Sequence, residues 1–248
     1  MKERFGAEDP RSMMLRTHTQ TGGSTLTAQQ PENNIVRAGI QALAASLGGV
    51  QSMALSCYDE ALAIPTEKAQ KIAVRTQQII AEEIGITDTI DPMAGSYYLE
   101  WLTDELERRA VEEMDKIEKM GGAVDAIDSG YYHKAILDEA YAWEQAVNDG
   151  ERVVVGVNKY RDDEEPQPEY FRVDPSLAQA QMEKLDRLRS ERDSAKAESA
   201  LARLRTAAEG NENMMPPIIE AVHSYCTLGE ICGAMRGVFG EYKALAAI

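Results

Sequence analysis

The sequence predicts an α/β fold, a partial β/α barrel of about three units followed by a mainly helical extension, and three observations carry that expectation. Over the first two thirds, short apolar runs alternate with amphipathic stretches of helical period, the order that builds a parallel sheet. The amphipathic stretches end at glycines, at Gly48-Gly49, Gly85 and Gly121-Gly122, where a chain leaving a helix turns into the left-handed region. A complete (β/α)8 barrel takes about 250 residues. This chain has 248, yet only three units precede its helical tail, so a whole barrel does not fit.

In chain order, Ser12–Thr17 (S-M-M-L-R-T) is the first expected strand, and the polar stretch His18–Ser24 is its loop. A helix is expected over Asn33–Leu47, with Asn33 and Asn34 as caps. Val50–Ser56 is the second strand and Cys57–Ala63 its loop, after which Pro65 and Thr66 open a helix running to about Ile84. Thr87–Pro92 is a third, weaker strand, and a long helix over Tyr97–Met120 follows it. A helix pair over Ala123–Asp149 and a short strand, Val153–Val157, complete this part.

The acidic stretch Asp162–Glu169, with Pro166 and Pro168, reads as an exposed linker. From Ser176 to Glu209 a narrow apolar stripe (Leu177, Leu185, Leu188, Ala195, Leu201, Leu204) runs through dense charge, which suits a solvated surface helix or a coiled-coil seam. Asn211–Pro217 breaks it, and Ile218–Val222 and Leu228–Phe239 are the last helices. The expected organisation is a barrel portion over 1–122, a helical extension with a short strand over 123–160, and a linker with C-terminal helices over 161–248.

Composition narrows the function classes. A net charge of −16, with no local block of Lys and Arg, repels phosphate backbones and anionic membranes, so neither nucleic acid nor membrane is an expected partner. An anionic small molecule remains compatible, because a few placed cations suffice to bind it. Three cysteines, an odd number, argue against a secreted disulfide framework, and no stretch reaches the about 18 apolar residues of a membrane span. The expected compartment is cytoplasmic.

Two clusters are candidate sites. Arg16-Thr17-His18-Thr19-Gln20-Thr21-Gly22-Gly23 stands at the end of an expected strand, the end at which parallel α/β folds carry function. Its His18 and Gln20 suit either a ligand or structural hydrogen bonding, and the glycines permit close approach of backbone to a ligand. Ser56-Cys57-Tyr58-Asp59-Glu60-Ala61 occupies the equivalent place on the next strand, so Gln20 and Glu60 are expected to face one space. A carboxylate there suits two ribose hydroxyls, or the N-terminus of the next helix, on electrostatic grounds alone. Dinucleotide, P-loop and zinc-protease signatures are absent, and Cys226 and Cys232 near His223 lack zinc-knuckle spacing, so no metal ligand is expected.

The residues resemble a specific family. Leu15 to Gly23 followed by Leu26 to Asn34 (L-R-T-H-T-Q-T-G-G, then L-T-A-Q-Q-P-E-N-N) is similar to paired motifs of the methylmalonyl-CoA mutase family. The likeness continues through Asp59–Thr66, Asp91–Tyr98, Val155–Tyr160 and Thr227–Ile231, and is weak only from about Asp162 to Asn213. It implies a (β/α)8 TIM-type barrel around the CoA chain, of which this sequence would supply the last three strands and the linker helices. The implied reaction is a radical rearrangement of an acyl-CoA that depends on adenosylcobalamin, with methylmalonyl-CoA or a related acyl-CoA as substrate.

By the same resemblance, His18 and Gln20 lie between substrate and cofactor, Gly23 lets backbone approach the cofactor, and Gln20, Glu60, Ala61 and Ile64 contact it, the last three at the adenosyl group. None is a nucleophile. No histidine here has an aspartate two residues before it, so the cobalt ligand is expected from another domain or chain. The implied partners are the N-terminal barrel half and a B12-binding subunit in a hetero-oligomer. The sequence departs from the family at Met53-Ala54-Leu55-Ser56, where many members carry a histidine and an asparagine, so Ser56 replaces an amide at the ribose. The rival expectation is a truncated, non-catalytic module that binds mutase subunits.

Overall fold

The structure is a computed structural model and describes residues 1–162 and 170–242, so most of the expected acidic linker lies outside the described residues. The chain divides into two units, Met1–Arg172 and Val173–Ile248. The first opens with a short helix α1 (Lys2–Phe5) and a 3-10 turn (Pro10–Met13), and continues as β1 (His18–Gln20), α2 (Asn33–Leu47), β2 (Ser52–Ala54) and α3 (Glu67–Glu82). A 3-10 turn (Ile86–Asp88), α4 (Tyr97–Lys119), α5 (Ala123–Asp128) and α6 (Tyr131–Asn148) complete it.

The strands β1 and β2 pair in parallel, with His18 opposite Ser52, Thr19 opposite Met53 and Gln20 opposite Ala54. The crossover between them is α2. Its Ala38 and Ala42, four residues apart, fall on one face, and their small side chains let the helix approach the sheet closely. They pack with Leu55 and Ile80, flanked by Met53, Ala73 and Ile86. Burying Leu55 and Ile80 contributes about 2 kcal/mol each. Thr66 caps α3, its hydroxyl accepting from Ala69 N–H at 3.2 Å, as the Pro65-Thr66 pair predicts.

The fold is therefore a mainly helical α/β structure with a two-stranded parallel sheet, and it differs from the expected units in three places. The first strand begins at His18, not Ser12: Asp9 accepts from Arg11 N–H at 2.9 Å and Pro10 starts a 3-10 turn, so the chain meets its partner strand only six residues later. The third strand does not form. Asp91 takes φ 47°, Pro92 lacks a donor and Ile90 is 96% exposed, which leaves Thr87–Pro92 without a ladder or a face to bury. Finally, Val153–Val157 is a turn carrying a single bridge, Val155 to Lys159, because Gly156 takes φ 81° and the Asn158 side chain satisfies the backbone at Val154, Val147 and Arg152.

Asn34 ties this unit together. It is fully buried; its Oδ1 accepts from Thr27 N–H at 3.1 Å and Arg37 at 2.7 Å, and its Nδ2 donates to the carbonyls of Thr27 at 2.8 Å and Tyr58 at 2.9 Å. It is thus no helix cap: the cap position falls to Glu32, whose side chain makes no capping bond. Arg37 extends the network to the Val155 carbonyl at 2.7 Å, and Gln30 donates to the Tyr160 carbonyl at 3.0 Å.

The second unit comprises α7 (Pro175–Glu191), α8 (Ser194–Glu209), α9 (Met215–His223) and α10 (Leu228–Phe239). The expected single helix over Ser176–Glu209 is broken at Arg192, and Asp193 caps the new start by accepting from Lys196 N–H at 3.0 Å. Far from being a surface helix, α8 supplies Ala197, Ala200 and Leu204 to a core completed by Ala221, Cys226, Ile231 and Ala234. Alanines together with Leu204 mark its buried face.

Arg192 locks this core, donating to both carboxylate oxygens of Glu230 at 2.6 and 2.7 Å and to the Tyr225 carbonyl at 3.0 Å. Glu230 also closes a capping box with Thr227 at the start of α10. The Arg192 bonds, helped by those from Thr227 and against some desolvation, hold the Glu230 carboxyl at about 2, below its ordinary 4.5. A carboxyl depressed in the fold stabilises above its ordinary value and ceases to do so as pH falls through the folded one. Glu230→Gln is expected to lower the unfolding free energy of this unit at pH 7 by about 2 kcal/mol. In urea titrations from pH 7 to pH 2, the gap to the wild type should stay constant down to about pH 5 and close below that.

Candidate functional site

Side chains alternate across a sheet, and the two faces of β1 and β2 differ in chemistry. Met53 points to the helices, whereas His18, Gln20, Ser52 and Ala54 share the other face, on which His18 and Gln20 are exposed. The late start of β1 places both on the strand, not in a loop. His18 Nδ1 lies 2.8 Å from Ser52 Oγ, directly across the pair. Gln20 Nε2 reaches Ser56 Oγ at 3.5 Å.

Beyond the strands, Thr21 and Ser56 clasp the two chains. Thr21 N–H donates to the Ala54 carbonyl at 3.1 Å, Ser56 N–H to Thr21 Oγ1 at 2.8 Å, and Ser56 Oγ to the Thr21 carbonyl at 2.9 Å. Both residues are buried. The Ser56 hydroxyl is thereby spent on closing the strand ends.

The loop after β1 turns at Gly23–Thr25 and is held from α2: Gly22 N–H donates to Gln41 Oε1 at 2.6 Å, and Gln41 Nε2 to Thr25 Oγ1 at 2.7 Å. Across from it, the carboxylate of Glu60 lies so close over Gly23 that a Cβ there would fall 2.2 Å from Oε1. The structure thus brings Gly23 and Glu60 together, while Gln20 meets Ser56; no hydrogen bond joins Gln20 to Glu60 among the described residues.

The neighbouring acids Asp59 and Glu60 divide the two roles open to a carboxylate here. Asp59 is 1% exposed, and its Oδ2 accepts from the N–H of Thr66 at 2.8 Å and from its hydroxyl at 2.9 Å, bracing the start of α3. Its Oδ1 is buried without a hydrogen-bond partner among the described residues. Glu60 is exposed, and its carboxylate has no hydrogen-bond or ion-pair partner among the described residues. Both its oxygens are open to donors, such as two adjacent hydroxyls. Ala61 and Ile64 are exposed beyond it. Burial first, then the charges of Asp59 and Glu60, push the buried Cys57 thiol up, so it packs as a neutral thiol and is no nucleophile.

Sequence reasoning missed Thr21, Asn34's linking role and Ser52. None of these carried a readable signal, because the place of Ser52 opposite His18 is set by the strand register. Among the described residues no cluster of His, Cys, Asp or Glu could hold a metal ion, and no helix is long and apolar enough to cross a membrane.

The profile of the methylmalonyl-CoA mutase family matches residues 1–241. The chain is 45% identical over 98% of its length to the 2-hydroxyisobutanoyl-CoA mutase large subunit of Aquincola tertiaricarbonis, of which it covers 44%. It is 44% identical over 96% of its length to the methylmalonyl-CoA mutase of Escherichia coli (strain K12), covering 34% of that protein, and 42% identical over 98% to the human mitochondrial enzyme, covering 33%. It therefore spans between a third and a half of the length of these relatives. With nearly every residue inside the family profile, the chain belongs to the methylmalonyl-CoA mutase family.

Proposed function

We propose that this chain supplies the cofactor-facing part of an adenosylcobalamin-dependent acyl-CoA mutase, an isomerase. Residues 1–122 are the C-terminal portion of its (β/α)8 barrel, 123–160 a helical extension and 161–248 a linker with the C-terminal helices. One observation carries the reading: the partner-free Glu60 carboxylate lies over Gly23 at the same end of the sheet as the open face that bears His18 and Gln20.

These residues fit an adenosyl group. Both Glu60 oxygens are free to accept from the two ribose hydroxyls, a charge-assisted contact, and any side chain at residue 23 would displace that carboxylate. Ala61 and Ile64 supply apolar surface beside it. Bound there, the cofactor would supply radical chemistry. The chain's own residues position and shield: His18 and Gln20 offer hydrogen bonds on the substrate side, and none forms a covalent bond. No histidine here fits the role of cobalt ligand, which falls to a B12-binding domain or subunit. The word "large subunit" in the name of the Aquincola relative supports such a division.

The substrate is an acyl-CoA, methylmalonyl-CoA or a relative. Each strand has only the other as partner among the described residues, so β1 and β2 leave ladder edges for the N-terminal barrel half to pair. Mixed with that half and a B12-binding subunit, the chain is expected to isomerise an acyl-CoA, and Glu60→Ala or Gln20→Ala to lower turnover at least about tenfold. Assembly without turnover on methylmalonyl-CoA, 2-hydroxyisobutanoyl-CoA or isobutyryl-CoA would contradict the reading and favour a non-catalytic module.

Gly23→Ala separates cofactor contact from folding. Its new Cβ meets only the flexible end of Glu60, so thermal unfolding is expected to change by less than about 1 kcal/mol. Affinity for adenosylcobalamin in the assembled enzyme should fall as far as in Glu60→Ala.

A further inference from the structure

We infer that Ser52 is a positioning residue, whose hydroxyl fixes the ring orientation and tautomer of His18 so that Nε2–H is presented as a hydrogen-bond donor to an acyl oxygen. What His18 faces rests on the proposed function; the tautomer does not.

The register makes the pair. His18 and Ser52 lie directly opposite in adjacent parallel strands, so their side chains leave the same face of the sheet, and Nδ1 stands 2.8 Å from Oγ. The backbone on either side is held as well: β1 pairs with β2 from His18 on, and Thr17 N–H donates to Gln51 Oε1 at 2.9 Å. The serine therefore reaches the ring from a fixed base, and its short side chain has one torsion to set.

The hydrogen must lie on one side of this contact or the other. The Ser52 hydroxyl has no acceptor but His18 Nδ1 among the described residues, and donating to it uses the imidazole lone pair on that nitrogen. The ring proton then sits on Nε2, which has no partner among the described residues and belongs to an exposed side chain. A neutral imidazole N–H held this way polarises a carbonyl or caps a carboxylate oxygen without surrendering its proton. That suits an acyl group that migrates as a radical and must not be hydrolysed or protonated on the way. Without Ser52 the ring is free to rotate and to exchange tautomers, and presents an acceptor lone pair for part of the time.

The test is long-range proton–nitrogen NMR on the full 248-residue chain, whose three histidines are few enough to assign, His18 by its loss in His18→Gln. With the imidazole neutral, His18 should give the pattern of a single Nε2–H tautomer. Ser52→Thr, which keeps the hydroxyl, should preserve it, whereas Ser52→Val and Ser52→Ala should give exchange-averaged nitrogen shifts. An Nδ1–H or averaged pattern in the wild type, or a wild-type pattern in Ser52→Val, would overturn the inference, and the wild-type spectrum decides even if a variant fails to fold. In the assembled enzyme, Ser52→Ala should lower kcat about tenfold with KM for the acyl-CoA within about twofold, and Ser52→Thr should restore it. Unchanged kcat beside an altered tautomer would overturn the positioning role. A wild type without turnover would instead sink the proposed function and leave the tautomer to the spectra.

Discussion

The first unit depends on one buried amide. Asn34 has no exposed surface, and both its donors and its acceptor oxygen are used against the chain at Thr27, Arg37 and Tyr58. A buried amide stripped of such partners costs about 1–3 kcal/mol for each group left unpaired, so the network tolerates little displacement. It fastens the loop that follows β1 and the loop that follows β2 to the same turn of α2. Glu60 lies two residues beyond Tyr58, and its place over Gly23 follows from this anchoring and from the Gln41 bonds that hold Gly22 and Thr25.

Around that anchor the sequence divides labour between neighbours of like chemistry. Asp59 and Glu60 are both acids at the mouth of a β/α unit, yet one is buried against the N-terminus of α3 and the other is exposed with its carboxylate free. Thr21 and Ser56 spend their hydroxyls on each other's backbone, while Ser52, four residues earlier on the exposed face, keeps its own for His18. Such sorting is a matter of burial. Pairs of polar residues at strand ends become structural where they turn inward and available where they turn out.

The helices up to α6 and the second strand were legible in the sequence, and the first and third strands were not. The limits of α2 follow from its glycine stop and its apolar period, and α3 from Pro65 and Thr66, because capping and periodicity are local properties. A three-residue strand is instead defined by its partner, so nothing in Ser12–Thr17 shows that pairing waits until His18. The third strand was expected from β/α rhythm, but Asp91, Pro92 and an exposed Ile90 give it no ladder and no core. The break between α7 and α8 was hidden because Arg192 and Asp193 continue the charge pattern of the helices on either side. Of the site, the motifs named His18, Gln20, Gly23, Glu60, Ala61 and Ile64; which of them meet, and what Ser52 does among them, required the register.

On the proposed function, Glu60, held over Gly23, receives the ribose of an adenosyl group. A crystal structure of the chain assembled with its N-terminal barrel half and B12-binding subunit, with 5′-deoxyadenosine and cob(II)alamin bound, tests it most directly. Both ribose hydroxyls should lie within about 3 Å of the Glu60 carboxylate oxygens, with His18 and Gln20 on the substrate side. A ribose held by other residues, with Glu60 turned to solvent, would contradict it.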